Sequence, residues 1–223
     1  MQTLAPGDWM PRHRHAGAYA ALVVRGGYVE AGDSGRFHVG PGQVVVHAPF
    51  EGHQDRLDRA GAIVLNLPLH ACAEPGHFSL ADPDAIIRLA ERDTTAAVEQ
   101  LGASITESGQ PSLDWPDRLA RALALDDAFE IRDWADALGI APQSVSRGFR
   151  SAYGISPKAY RAEHRAVRAI RALRTTAEPI VAVAAELGFA DQAHMSRAVR
   201  AVSGLTPMQI RVQSVQAGAV VAL

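Results

Sequence analysis

Ser146 and Arg147 return fifty residues later as Ser196 and Arg197, and the stretches around them repeat as well. Leu138-Gly139-Ile140-Ala141 reappears as Leu187-Gly188-Phe189-Ala190 at an offset of 49, and Gly154-Ile155-Ser156-Pro157 as Gly204-Leu205-Thr206-Pro207 at an offset of 50. One residue has been gained inside the turn before the second helix. Arginine can bridge O6 and N7 of guanine, glutamine can bridge N6 and N7 of adenine, and serine suits a base edge or a phosphate. Two helix-turn-helix units joined by one long helix can present two helices to one face of duplex DNA, about 34 Å apart, each in a successive major-groove segment. The repeat therefore points to a DNA-binding regulator.

A second set of candidate residues lies near the N-terminus. His13-Arg14-His15 places two histidines on one face of a strand, at i and i+2, and His53 follows. Three imidazoles can hold a divalent metal. With Glu51 as an acidic neighbour, they suit a polar organic effector equally well.

These side chains need two kinds of scaffold. From Tyr19 to Leu67 the texture is that of short strands, at 19–24, 28–30, 36–39, 43–47 and 62–67. Gly26-Gly27, Gly32-Asp33-Ser34-Gly35, Gly40-Pro41-Gly42 and Pro49-Phe50-Glu51-Gly52 read as the turns between them, which suggests a small antiparallel β-barrel. Past Ala81 the period becomes helical. Asp82-Pro83 reads as a cap, Ile86, Ile87, Ala90, Ala97, Val98, Leu101 and Ile105 share one face, and a break falls near Asp93-Thr94-Thr95. That face either packs on the barrel or pairs with a second copy. The segment 107–112 reads as a linker.

The remainder is helical, with helices expected near 115–124, 130–138, 142–152, 157–175, 179–187, 191–202 and 207–215. Ser156-Pro157 and Thr206-Pro207 offer an N-cap hydroxyl with proline at the first helical position, and Pro142 and Pro179 open helices in the same way. Gly139, Gly154, Gly188 and Gly204 follow helix ends where a left-handed residue is needed. Ile131, Trp134, Ala135 and Leu138 in one unit, and Ile180, Val183, Ala184 and Leu187 in the other, supply a buried face to each first helix. Arg161, Arg165 and Arg168 form a stripe on the long connecting helix, opposite Ala166, Ile170 and Leu173, where a solvated face or DNA backbone contact is expected.

The net charge of −2 conceals an asymmetry. Residues 1–111 hold 8 arginines against 13 acids, whereas from Gly139 onward 11 basic residues face four acidic ones, on the helices where phosphate neutralisation needs them. The single cysteine, Cys72, permits no intramolecular disulfide and reads as a small buried hydrophobe. No signal peptide or membrane span is legible, which points to the cytoplasm.

Residues 112–212 resemble the DNA-binding domain of the arabinose-regulator (AraC) family of bacterial transcription factors. The stretch Gly188-Phe189-Ala190-Asp191-Gln192-Ala193-His194-Met195-Ser196-Arg197, followed by Arg200, Gly204, Thr206-Pro207 and Arg211, carries the resemblance. Met195 and Val199 stand where members usually have phenylalanine. The resemblance implies that the second helix of each unit contacts DNA. The matching positions are Gln143, Ser144, Ser146, Arg147 and Arg150, then Gln192, His194, Ser196, Arg197 and Arg200, with Arg147 and Arg197 expected to read bases. Val145, Phe149, Met195 and Val199 are expected in the core.

Gly7 and His13-Arg14-His15 resemble the first cupin motif, and Gly42 with Pro49-Phe50-Glu51-Gly52-His53 the second. Tyr19 and Ala20 stand where that motif carries a glutamate. The expected organisation is thus a mixed two-domain chain: a small antiparallel β-barrel, cupin-like, at 1–81; a helical connector or dimerisation segment and linker at 82–111; and an all-α tandem helix-turn-helix domain at 112–223. The expected function is sequence-specific transcription regulation without catalysis. Expected partners are duplex DNA, a small-molecule effector or divalent metal at His13, His15 and His53, RNA polymerase, and a second copy through 82–108. The alternative is a metal-dependent cupin enzyme using the same histidines.

Overall fold

The computed structural model describes residues 1–69, 74–106 and 113–213. Cys72, the linker at 107–112 and the end of the last expected helix lie outside the described residues. The chain divides into two compact units, Met1–Leu119 with Gln143–Ile155, and Ala120–Pro142 with Ser156 onward.

The first unit is built on one antiparallel sheet of eight strands. These are β1 (Gln2–Leu4), β2 (Trp9–Arg14), β3 (Ala18–Gly32), β4 (Gly35–Val39), β5 (Gln43–His47), β6 (Gly52–Leu69), β7 (Gly76–Leu80) and β8 (Ile105–Thr106), in the order β1-β6-β3-β5-β7-β8, with β2 also paired to β6 and β4 to β3. The antiparallel β-region followed by helices is as expected from the sequence. Strand lengths differ. The runs at 19–24 and 28–30 are one 15-residue strand, and Gly26-Gly27 is a bulge within it rather than a turn, with register shifts on either side. Gly26 takes φ +72°, and a Cβ there would lie 1.9 Å from the Gly61 carbonyl oxygen. Glycine is thus required by close approach of β6, a role that looks the same in sequence as a turn. β1, β7 and β8 were not expected; the strand expected at His13-Arg14-His15 is β2, which ends at Arg14 and so leaves His15 just beyond it, and β2 carries Pro11, as an outer strand can.

Alternation along β3 and β5 separates two apolar clusters. Ala20, Leu22, Val44, Val46 and Leu67 pack with Ile86, Ala97 and Leu101 of α1 (Pro83–Ala90) and α2 (Thr94–Ser104). Asp82 and Asp93 cap these two helices, accepting from the amides of Ala85 and Ala96 at 2.9 and 3.0 Å, so the break falls where expected. The apolar face of the connector therefore packs on its own sheet. Ala21, Val23, Val45 and Val64 point the other way, with Tyr28, Val39 and Leu57.

This unit also holds the start of α3 (Trp115–Leu125) and all but the first residue of α5 (Pro142–Tyr153). Arg36 forks onto Asp117 at 3.0 and 2.8 Å and reaches Asp114 at 2.9 Å. The Tyr153 hydroxyl donates to the same Asp117 at 2.9 Å, and the Gln54 amide donates to the Ala152 carbonyl at 2.7 Å. Gly148 admits the Trp115 ring, which a Cβ would meet at 2.4 Å.

The second unit contains α4 (Ile131–Ala137), α6 (Pro157–Thr175), α7 (Ile180–Glu186), α8 (Gln192–Ser203) and a last helix over 207–213. Its core is Ala166, Ile170, Leu173, Val183, Ala184, Met195, Val199 and Ile210. Ser156 caps α6 as expected, accepting from the Ala159 amide at 3.2 Å, and Thr206 does so for the last helix from Gln209 at 3.3 Å. Pro179 is the N-cap of α7 rather than its first residue. Leu138, expected in a buried face, is 42% exposed because it sits past the end of α4. Arg161, Arg165 and Arg168 are not a free solvated stripe: Arg165 and Arg168 pair with Asp127, and Arg161 donates to the carbonyls of Asp127 and Phe129. Arg165 also lies over the Phe189 ring.

Candidate nucleic-acid interface and sensor cavity

α5 and α8 expose the same register of side chains. Val145 and Phe149 in α5, and Met195 and Val199 in α8, are buried, as the i, i+4 spacing of an amphipathic helix requires. Between them Gln143, Ser144, Ser146, Arg147 and Arg150 are all exposed, and so are Gln192, His194, Arg197 and Arg200, with Ser196 half-buried. Gly139, Gly154, Gly188 and Gly204 take φ of 63°, 77°, 69° and 73° at the helix ends, as expected. The turn into α8 closes with the Phe189 amide donating to the Ala184 carbonyl at 3.0 Å, and Asp191 caps the helix by accepting from the His194 amide at 2.6 Å. His194 faces back into this turn, its Nδ1 3.4 Å from the Ala190 amide and its ring edge-on to Phe189. Ser196 donates to the Gln192 carbonyl at 2.8 Å. Arg147, Arg150, Arg197 and Arg200 therefore remain the extended cationic groups of the two helices.

His13, His15 and His53 are brought together in the sheet, with ligand atoms within 4.8 Å of one another. His13 and His53 are cross-strand partners of β2 and β6, their rings 4.3 Å apart. The three line a cavity of about 100 Å³ together with Tyr19, His47, Glu30 and Asp55. The Tyr19 hydroxyl lies 3.2 Å from His53 Nε2, and its ring stacks on His47 at 4.5 Å. His13 Nδ1 is 2.9 Å from the Pro11 carbonyl, an acceptor, so Nδ1–H donates there and Nε2 is the nitrogen left to face a ligand.

Burial, reinforced by His15 and His13, pushes His47 down to about 3. Burial and the neighbouring imidazoles likewise depress His53, and burial followed by His13 lowers His15. These rings are neutral at pH 7. Burial raises Asp55 to about 7, and burial followed by Asp55 and Glu51 raises Glu30 well above the usual carboxylate range.

Residues 134–213 match the family described as a helix-turn-helix domain. The arabinose operon regulatory protein of Escherichia coli (strain K12) is 34% identical over 86 residues, covering 39% of this chain and 30% of that protein. The same regulator of Salmonella typhimurium is 34% identical over the same length. Over that helix-turn-helix stretch the chain is thus similar to arabinose operon regulators. The HTH-type transcriptional regulator ExsA of Pseudomonas aeruginosa is 30% identical over 83 residues, covering 37% of this chain and 30% of that protein. The chain thus spans about 30% of the length of the curated relatives it matches. Among solved structures, an AraC-type transcriptional regulator of Chromobacterium violaceum is 26% identical, covering 44% of this chain and 89% of that one at a TM-score of 0.41. ToxT of Vibrio cholerae O395 is 9% identical, covering 94% of this chain and 95% of that one at a TM-score of 0.42.

Met195 and Val199, the two departures from the pattern the chain resembles, are both fully buried, so they bear on packing. In the cavity, Tyr19 takes the place of the cupin glutamate and meets His53 directly. Glu51, expected as the acidic neighbour, is engaged in its own turn, accepting from the Ala48 amide at 2.8 Å and the Ser34 hydroxyl at 3.1 Å. The acids that line the cavity are Glu30 and Asp55, which sequence reasoning missed together with His47. The signal was period two: Asp55 follows His53 by two residues, as His47 follows Val45.

Proposed function

We propose that this chain is a sequence-specific transcription regulator of the AraC type, in which α5 and α8 read DNA and the sheet cavity binds a small-molecule effector. One observation carries the reading: the two helices bury equivalent apolar pairs and expose equivalent arginines in register, Arg147 with Arg197 and Arg150 with Arg200. Phosphate contacts position such helices and base edges give specificity. RNA polymerase belongs to the same reading. A homodimer through 82–108 would use the outer faces of α1 and α2, because their inner faces pack on the sheet.

The histidine trio fits a divalent cation. His53 Nδ1 is buried with no hydrogen-bond partner among the described residues, and His13 keeps Nε2 available. His13, His15 and His53 would hold the ion, which would supply a Lewis-acid point for an effector atom. The same trio is the basis of the rival reading, a metal-dependent cupin enzyme.

Binding of the full chain to duplex DNA flanking its own gene tests the proposal. If some six to eight phosphates are neutralised, log affinity against log salt has a slope of about −5 to −7. A flat salt response, or no binding in low salt, refutes it. Metal analysis beside this DNA-binding assay separates the two readings: bound metal in a chain that binds no DNA favours the cupin enzyme.

A further inference from the structure

The floor of the cavity is a pair of carboxylates placed where a soluble β-structure normally avoids them. Glu30 of β3 and Asp55 of β6 are direct cross-strand partners, and each is only 4% exposed. Like charges directly opposite one another destabilise a sheet, and a buried carboxylate without a partner costs more still. His47 lies close to Glu30, its Nε2 3.5 Å from Oε2. Asp55 Oδ1 is buried and has no hydrogen-bond partner among the described residues. No arginine or lysine forms an ion pair with either acid among those residues. Both acids are among the residues that line the cavity, and the unpartnered Asp55 oxygen is buried beside it.

The surrounding groups add acceptors, the histidine lone pairs and the Tyr19 oxygen, so the complementary ligand is rich in N–H donors and positively charged. The set of ligand atoms within 4.8 Å of one another comprises His13, His15 and His53 and includes neither carboxylate, so the floor is separate from the candidate metal position. We propose that Glu30 and Asp55 form a subsite for the protonated amine or guanidinium group of a small organic cation. An ammonium or guanidinium donates to both acids at once, and its charge stabilises their ionised forms through two charge-assisted hydrogen bonds. This proposal rests on the reading of the cavity as the effector site, and it names the chemical class of that effector.

Thermal melting of the full chain tests it, with 1,4-diaminobutane and agmatine as probes, 1,4-butanediol as the neutral control and zinc chloride as the metal arm. The amines are expected to raise Tm by about 5 °C at saturation, and the diol to leave it unchanged. Glu30→Gln combined with Asp55→Asn is expected to abolish the amine shift while raising the Tm of the ligand-free chain, because no ionisable acid is left buried there. Asp55→Asn alone, the milder change, is expected to reduce the shift at least tenfold in apparent affinity. Four outcomes overturn the proposal: no amine shift, an equal shift with the diol, an amine shift that survives in both variants, or a zinc shift alone that His13→Ala/His15→Ala removes. DNA binding, measured on the same samples, reports separately on the regulator reading. An amine shift in a chain that binds no DNA leaves the subsite standing and removes that reading.

Discussion

At the scale of single residues, the guanidinium groups of the two exposed helix faces differ in what they are free to do. Arg147 and Arg197 are exposed on helices whose buried faces fix their direction, whereas Arg161, Arg165 and Arg168 are held by Asp127 and nearby carbonyls. Arg147→Ala and Arg197→Ala are each expected to cost about 1 to 3 kcal/mol at the cognate site and to relax sequence preference. Affinities for specific and non-specific duplexes, compared for each variant, decide the matter; an equal loss on both marks a phosphate contact. The exposed register of Arg147 and Arg197 was legible because the repeat gives it twice, in Ser146-Arg147 and Ser196-Arg197. Asp127 was not legible as the partner of the connector arginines, because it is 38 residues from Arg165 in the chain and no local pattern links them. Glu30 and Asp55 were hidden for a related reason: their pairing depends on the register of two long strands.

At the scale of elements, helices were easier to read than strands. Capping serine, threonine and aspartate, opening prolines and terminal glycines punctuate most of the helices, and those signals act within three or four residues. Strand boundaries depend on partners distant in sequence, so Gly26 inside β3 could not be told from a turn, and β7 with its five residues carried no alternation strong enough to mark it. The end of α5 is fixed by a contact of the same long-range kind. Tyr153 donates to Asp117, which also receives the Arg36 fork. Tyr153→Phe removes one hydrogen bond to a buried carboxylate while leaving the packing on Phe149 intact, so it should lower stability by about 1 kcal/mol. Chemical denaturation of the variant beside the exposed-site control Ser151→Ala measures this, and an unchanged midpoint contradicts the assigned role.

At the scale of the whole molecule, the division of labour expected is between a cavity that senses and helices that read. His13→Ala together with His15→Ala removes two groups from the cavity and none from α5 or α8. Affinity of the ligand-free chain for DNA is therefore expected to stay within about twofold, roughly 0.4 kcal/mol, while any response of DNA binding to effector is lost. Electrophoretic mobility of a promoter fragment with and without effector checks both halves. A double variant that binds DNA ten times more weakly without effector shows that the histidines support the fold instead.

β6 interleaves two surfaces residue by residue. His53 and Asp55 line the cavity on one face, while Gln54 and Arg56 border the groove that α3 and α5 complete on the other. Substitutions can therefore retune ligand choice at the odd positions without touching the helix-bearing side, which makes specificity evolvable by point mutation. Insertion or deletion of one residue between 53 and 56 has the opposite character: it would exchange the two surfaces along the rest of the strand. Lineages descending from this sequence should vary freely in side chain along this stretch and hardly at all in length.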